Sequence, residues 1–290
     1  MVERDATGRS VVRELRSASP LTLMPSPPGL HDGDPDTTLV HLVGSAAAPL
    51  GGDDLELEVH VGPGARLALR GVGATLALPG QHPGPSRVSV TCRLADAARL
   101  DYLAEPTVVA ADADHHAELH ADLDADARLR CREVVVLGRT GERPGRFRGA
   151  TRVRRAGATL LHQHLHLGDP ELDHTPAHLA GHRVVATELL VWGDDPPEPV
   201  NGDWWSLVPL ARGGALATAL AHDTITAHRL LATAVAAHPG TAQAPPVPLP
   251  LSAAAPPRVV PARGRATADG PITVRRARPL GSPSRSSTGC

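Results

Sequence analysis

The sequence predicts a mainly β protein in which successive units stack into a solenoid-like fold, and three observations predict it. From Leu55 to Arg70 apolar side chains occupy the odd positions and polar ones the even positions, as in strands that bury one face. A similar alternation runs from Arg148 to Leu167. Short turns ending in Ala-Arg-Leu recur at 62–67, 95–100 and 124–129, with a period of about 30 residues. Such units cannot bury their apolar faces alone, so neighbouring units must stack.

The first strands are predicted as a hairpin around Gly62-Pro63-Gly64. Pairing Val61 with Ala65 places Glu56 opposite Arg70 on the polar face, which is complementary in charge. A second hairpin is predicted across 148–167, with its turn near Arg155-Ala156-Gly157. The sheets are therefore expected to be built from hairpins.

The second half of the chain is predicted to be less regular. Residues 168–205 are rich in Pro, Asp and His and are expected to form short strands and loops over one end of the stack. Two strands are expected at 207–210 and 215–221. Asp223 or Thr224 can cap a following helix, which Pro239-Gly240 ends, so one or two helices are expected near the C-terminus. Residues 240–290, rich in Pro, Ala, Arg and Ser, are predicted to be a disordered tail.

Composition limits the function classes. With 290 residues and 41% hydrophobic composition, the chain can form one large domain, predicted as residues 1–239. The formal net charge of −2 argues against nucleic acid as a partner. A local arginine cluster at 143–155 is interpreted as a solvated strand face, because Phe147 is its only aromatic residue. No signal-like or membrane-spanning apolar run occurs, so a cytoplasmic protein without a membrane partner is expected.

A set of motifs along the chain matches one family. Gly-Gly-Asp at 51–53 precedes a strand, a Gly-Pro-Gly-Ala turn, a second strand and Gly-Ala-Thr at 73–75. Leu100-Asp101-Tyr102-Leu103 and the Leu-Gly-Arg and Gly-Glu elements at 137–142 follow. Together these elements resemble the urease accessory protein UreD family, also called UreH, over residues 8–238. The family motif residues are Gly51, Gly52, Asp53, Gly62, Pro63, Gly64, Gly73 and Ala74.

The resemblance implies a β-helical sheet stack and a role in urease maturation rather than catalysis. It implies a nickel metallochaperone scaffold that binds apo-urease and the accessory proteins UreF and UreG, and assists Ni(II) insertion. Nickel is expected to bind only transiently, with no tightly bound cofactor. The sequence contains no Gly-x-x-x-x-Gly-Lys phosphate-binding loop, so this chain is not expected to be the GTPase of the system.

The resemblance also implies a polar interior path for nickel. Asp53, Thr75 and Glu133 fall where the family keeps interior polar residues, and Gln163 stands where many members have Glu. Glu133 lies in an otherwise apolar run, where a buried carboxylate is costly unless it is hydrated or paired. A water-filled channel removes that cost. The alternative is an ordinary strand with Glu133 facing outward.

The histidines at His162, His164 and His166 supply a second hypothesis. Alternate residues of a strand point to one face, so three imidazoles can lie together, and imidazole is a good ligand for nickel and zinc. A metal-dependent β-fold enzyme using this face is the alternative function. The same spacing is also typical of a solvent-facing strand.

Overall fold

In the computed structural model the chain forms a β-solenoid of about four turns, with 52% of the described residues in strands and 8% in helices. The structure describes residues 1–27, 34–240 and 272–276. The predicted fold class, mainly β with stacked, solenoid-like sheets and one or two helices near the C-terminus, is therefore confirmed.

The elements follow one another along the chain as short strands with two helices between the later ones. The first ten strands are β1 (Val2–Arg4), β2 (Ser10–Val12), β3 (Leu15–Arg16), β4 (Leu21–Pro25), β5 (Thr38–Gly44), β6 (Asp54–Val61), β7 (Arg66–Gly71), β8 (Thr75–Ala77), β9 (Ser86–Leu94) and β10 (Arg99–Leu103). The remaining elements are β11 (Thr107–Val109), β12 (Asp114–Leu123), β13 (Arg128–Leu137), β14 (Arg146–Arg155), β15 (Ala158–Leu167), α1 (Pro170–Asp173), β16 (Val184–Val191), β17 (Val200–Gly202), β18 (Trp205–Pro209), β19 (Ala215–Ala221), α2 (Thr224–Ala236) and β20 (Ile272–Arg276).

Two sheets face each other across the main core. Sheet A has the order β15-β14-β12-β9-β6-β1-β2, with β20 pairing both β3 and β6. Sheet B has the order β17-β18-β19-β16-β13-β10-β7-β5-β4, with β8 and β11 beside it. The inner side chains of both sheets form one apolar cluster, and a second cluster lies between sheet B and α2. Because Ala, Val and Leu fill most of this core, the low aromatic content is no obstacle to burial.

The Ala-Arg-Leu turns are corners between the two sheets, and the predicted first hairpin is wrong. Strand β6 pairs in parallel with β9 in sheet A, whereas β7 pairs in parallel with β10 in sheet B. Leu67, Leu100 and Leu129 then align as register neighbours in sheet B, so the repeat does mark stacked turns of a solenoid. Period-two alternation identifies a strand and its buried face. It does not tell whether the next strand pairs with the first in a hairpin or turns a corner into the other sheet, because the apolar side chains face the core in both cases.

The predicted hairpin across 148–167 is confirmed. Strands β14 and β15 pair antiparallel, with Arg155 opposite Ala158. The two turn residues Ala156 and Gly157 both have positive φ, 46° and 79°, as type I′ turns require.

Residues 168–205 contain more regular structure than predicted. Strand β16 is an eight-residue strand in the middle of sheet B, between β13 and β19. It was missed because it is buried on both faces, so its apolar run lacks the period-two alternation that reveals a one-sided strand.

The C-terminal part agrees with the prediction up to α2. Strands β18 and β19 pair antiparallel, and the Asp223 carboxylate accepts a hydrogen bond from the Thr226 N–H at the start of α2. Residues 272–276, predicted as disordered tail, instead form β20, which pairs antiparallel with β6. Pairing to an open sheet edge needs no apolar periodicity, so the sequence did not reveal it. Residues 241–271 and 277–290 of the predicted tail lie outside the described residues. In the described part of the chain no helix is long and apolar enough to span a bilayer.

Candidate functional site

A cavity of about 600 Å³ lies between the two sheets. Its walls are mostly apolar and come from the inner faces of sheets A and B. A few polar side chains interrupt them, among them Thr75, Tyr102, Glu105, Thr107, Glu133, Thr151, Gln163 and Thr187. Three of the four residues predicted to line an interior path, Thr75, Glu133 and Gln163, therefore lie on one cavity.

Glu133 is the carboxylate deepest in the wall formed by sheet B. It lies two residues beyond Cys131 on β13 and so shares its inward direction, and both residues line the cavity. Across the ladder its register partner is Thr187 on β16. Glu133 therefore faces the interior, and the alternative of an outward-facing residue is wrong.

Burial sets the protonation of this wall. It raises the pKa of Glu133 to about 7, because an ionised carboxylate loses hydration in an apolar wall. It also raises the pKa of the Tyr102 phenol and the Cys131 thiol well above their usual values. Both of these stay neutral near pH 7, so Glu133 is the side chain of the three that can change charge there.

Sheet A supplies the facing polar groups. Gln163 on β15 and Thr151 on β14 are register partners, and both line the cavity. The Glu133–Thr187 pair and the Gln163–Thr151 pair thus bring carboxylate, hydroxyl and amide oxygens to one interior space. No sequence pattern indicates Thr151 or Thr187 as lining residues, although Thr151 follows from the predicted hairpin once Gln163 is placed inside.

The cavity reaches the surface where sheet B is irregular. Three neighbouring segments of sheet B are aligned at Arg132, Leu103 and Arg70 and again at Val135, Thr107 and Thr75. Between these two aligned rows the segments differ in length: two residues on β13 (133–134), three between β10 and β11 (104–106) and four between β7 and β8 (71–74). Each strand thus has one residue more than its neighbour across the gap, as at stacked β-bulges, which re-aim side chains near functional sites. Residues 71–74, 104 and 105 line the cavity, and Val72 is 61% exposed. This irregular gap is the cavity mouth.

Glu105 places a second carboxylate at the cavity mouth. Burial raises its pKa, and the nearby Arg132 guanidinium partly opposes that shift. A Cβ atom on Gly71 would lie 2.7 Å from the Glu105 backbone nitrogen, so only glycine at position 71 allows this close approach. No sequence pattern indicates Glu105, because the position follows a strand end and carries no alternation.

Asp53 lies away from the cavity. Its carboxylate accepts a hydrogen bond of 2.9 Å from the Leu50 N–H, and the Asp53 N–H donates to the Leu50 carbonyl at 2.8 Å. These two bonds close the turn before β6, and Asp53 is absent from the cavity wall. The structure therefore places it as a turn residue beside the cavity-lining strands.

A buried ion cluster lies on the other face of sheet B, under α2. Glu188 on β16 is fully buried and accepts hydrogen bonds from the Arg130 Nε, and from the Arg132 Nε at 2.7 Å. Because Arg132 also lines the cavity, this cluster forms the back of the cavity mouth. Arg130 and Arg132 share the Glu188 carboxylate, and Arg132 also interacts with the Glu105 carboxyl at the mouth.

Comparison with known proteins identifies the family. The model of the UreD urease accessory protein family matches residues 1–249. The chain belongs to the UreD family.

Several UreD proteins are similar in sequence to most of this chain. A "Urease accessory protein UreD 1" of Saccharopolyspora erythraea is 51% identical over 238 residues, covering 82% of this chain and 93% of the relative. A "Urease accessory protein UreD" of Frankia alni is 41% identical, covering 79% of this chain and 88% of that protein. A UreD of Streptomyces coelicolor is 37% identical over 80% of this chain and 92% of its own length.

In this UreD chain the three histidines lie on the outside, at the edge of sheet A. His162, His164 and His166 are all exposed on β15. The His162 and His164 Nε2 atoms are 3.1 Å apart, and an Arg152 guanidinium nitrogen lies 3.2 Å from His162 Nε2. A guanidinium this close disfavours a second cation. Among the described residues no group of three or more His, Cys, Asp or Glu side chains is arranged to hold a metal ion.

Proposed function

We propose that this protein is a urease maturation factor that acts as a nickel metallochaperone scaffold. It binds apo-urease and the accessory proteins UreF and UreG, and it passes Ni(II) toward the urease active site. Membership of the UreD family supports the role in urease maturation. The finer steps are proposed from the cavity described above.

The single observation that carries the proposal is the convergence of Thr75, Glu133 and Gln163 on one interior cavity. Sequence positions far apart in the chain supply oxygen ligands to both walls. At about 30 Å³ per water molecule, the six waters of a hydrated ion occupy only about a third of a 600 Å³ cavity. The space therefore suits a hydrated cation that exchanges waters for wall oxygens as it moves.

The chemistry of the walls favours transit over storage. Nickel binds imidazole nitrogen more readily than carboxyl, hydroxyl or amide oxygen. Most polar side chains of the wall offer oxygen, while the His115 ring is hydrogen-bonded to Ser86 and the Cys131 thiol stays protonated. A path with two separated carboxylates, Glu105 at the mouth and Glu133 deeper inside, attracts the cation at successive points and holds it weakly at each. The cation can then leave for a stronger site on urease.

The charge of Glu133 suits the same role. Its pKa near 7 means that a passing cation can bind the ionised form with little cost of deprotonation. An ordinary buried carboxylate without a partner is destabilising, so a hydrated cavity beside Glu133 explains how the side chain is tolerated.

Reconstitution with the full chain tests the proposal. The protein is co-expressed with UreF and UreG, purified by affinity and size exclusion, and mixed with apo-urease, Ni²⁺ and GTP. Co-elution of the accessory proteins and urease activity that depends on this chain are expected. If the folded proteins elute separately, or if urease is activated equally well without this chain, the proposal fails.

A further inference from the structure

The outer face of sheet A carries a regular charge pattern that the cavity does not use. Each of its long strands β6, β9, β12 and β14 presents one dominant charge sign at its outward positions. Strand β6 presents Asp54, Glu56 and Glu58; β9 presents Arg87 and Arg93; β12 presents Glu118 and Asp122; β14 presents Arg146, Arg148, Arg152 and Arg154.

These strands are also in register, so their outward side chains form rows across the sheet. One row runs Asp54, Arg87, His116, Arg148 and His166. Neighbouring strands are about 4.8 Å apart, and opposite charges on adjacent strands stabilise the pairing. Basic strand β9 therefore has an acidic strand on each side.

Basic strand β14 has an acidic neighbour on one side only. Its inner neighbour is β12, but its outer neighbour is the edge strand β15, which carries histidines and no carboxylate. All four outward arginines of β14 are exposed. Within the described part of the chain none of them forms an ion pair with a carboxylate. The two outermost strands thus form a basic strip.

The edge itself is open to pairing. Strand β15 is ten residues long and is paired only with β14 in the described sheet. A long edge strand offers unpaired backbone groups to another strand. Its inward residues Leu161 and Leu165 are only half-buried, so an added strand with apolar inward side chains would cover them.

From these observations we infer that β15 accepts an extended acidic segment of a partner protein as an additional strand of sheet A. The segment alternates acidic with apolar residues. Its carboxylates lie beside the histidines and arginines of the basic strip, and its apolar side chains cover Leu161 and Leu165. The basic strip then has an acidic strand on each side, β12 on one and the added segment on the other.

This chain does not supply that segment itself. The residues outside the described ranges contain only two acidic side chains, Asp32 and Asp269, and neither lies in an alternating acidic run. The chain's own acidic strand β6 is already paired on both sides, with β9 on one and with β1 and β20 on the other. The occupant is therefore a different protein.

A labelled peptide tests the inference on the full-length protein. The probe alternates glutamate with valine over about ten residues, the length of β15, and its matched control has lysine in place of each glutamate. We expect saturable binding of the glutamate peptide by fluorescence anisotropy, weakened by salt, and no binding of the lysine peptide. Equal binding of both peptides, or binding of the glutamate peptide weaker than about 1 mM, overturns the inference.

Charge reversal and amide exchange locate the peptide. Arg148→Glu should weaken binding about tenfold, whereas Arg87→Glu, an exposed arginine of the same row two strands further in, should change it less than twofold because salt screens charges at that distance. Hydrogen exchange should slow in the segment 158–167 when the peptide binds, because strand addition pairs the free amides of β15. Equal effects of the two reversals, or binding without this protection, overturns strand addition.

Discussion

Glu133 on β13 and Gln163 on β15 belong to opposite sheets, yet they line the same interior cavity. The solenoid brings them together because each turn places one strand in sheet A and one in sheet B. Each residue also has a hydroxyl-bearing register partner, Thr187 and Thr151 respectively. Polar groups on both walls distinguish this space from a simple packing gap.

The ionisation of Glu133 should make the protein less stable at alkaline pH. The pKa is raised from 4.5 to about 7 in the folded state, so the folded protein binds the extra proton between these values. Stability is therefore full below about pH 4.5 and is lost as pH rises through 7, by at most about 3 kcal/mol. Glu133→Gln should raise the melting temperature by several degrees at pH 8 and change it little at pH 5.

His115 provides a control of opposite sign for that measurement. Its buried ring is 2.9 Å from the Ser86 hydroxyl, and burial lowers its pKa from 6.5 to about 4. The stability linked to it is present above pH 6.5 and is lost as pH falls through 4. His115→Gln should therefore flatten the acid side of the stability profile and leave the Glu133 effect in place. A Glu133→Gln profile parallel to that of the wild type would show that Glu133 is not buried as described.

The ion cluster under α2 should depend on its single carboxylate. Glu188→Gln leaves Arg130 and Arg132 without their negative partner, and breaking a buried pair in this way costs about 3–5 kcal/mol. Thermal or denaturant unfolding measures the change. Glu142, which pairs with the exposed Arg139 at the surface, is the matched control, and Glu142→Gln should change stability much less. Similar losses for both variants would contradict a buried, mutually dependent cluster.

The cavity mouth should tolerate an alanine in place of Gly73 but not in place of Gly71. In Gly71→Ala the new methyl would meet the Glu105 backbone nitrogen at 2.7 Å, so the mouth must shift, at a cost of about 1–3 kcal/mol. Gly73→Ala, in the same loop, meets nothing within 4 Å. We expect Gly71→Ala to lower both the melting temperature and urease activation, with Gly73→Ala close to wild type. Equal behaviour of the two variants would place the mouth elsewhere.

Two truncations separate the predicted tail from the observed strand β20. Ile272 is fully buried and belongs to the main core cluster, and burying such a side chain contributes about 1.5–3 kcal/mol. A chain ending at residue 276 should melt like the full chain, and a chain ending at residue 240 should melt lower. Identical melting of the two truncated chains would favour the sequence prediction that the whole tail is dispensable.

Several features of the fold could be predicted from sequence because they depend on local chemistry. The Ala-Arg-Leu repeat located the solenoid corners, and Asp223 located the start of α2. The pairing of β6 could not be predicted, since a Gly-Pro-Gly turn serves a hairpin or a corner equally well. Strand β16 was hidden because a strand covered on both faces shows no alternation.

The candidate site could likewise be predicted only in part from the sequence. The costly position of Glu133 in an apolar run correctly indicated an interior carboxylate. Thr187 and Glu105 reach the cavity only through strand register and stacked bulges, which depend on contacts between residues far apart in the chain. Asp53 matches a family motif, but its carboxylate closes a local turn, so a motif position alone did not locate it on the cavity.

The most direct test of the central claim is the rate of urease activation by the reconstituted complex carrying Glu133→Gln. The substitution keeps the shape of the side chain and removes its charge, so assembly measured by size exclusion should be unchanged while activation falls about tenfold. A chain with His162, His164 and His166 all replaced by Gln should activate like the wild type. Full activation by Glu133→Gln, together with loss of activation in the triple histidine variant, would contradict the account and place nickel on the outer strand face.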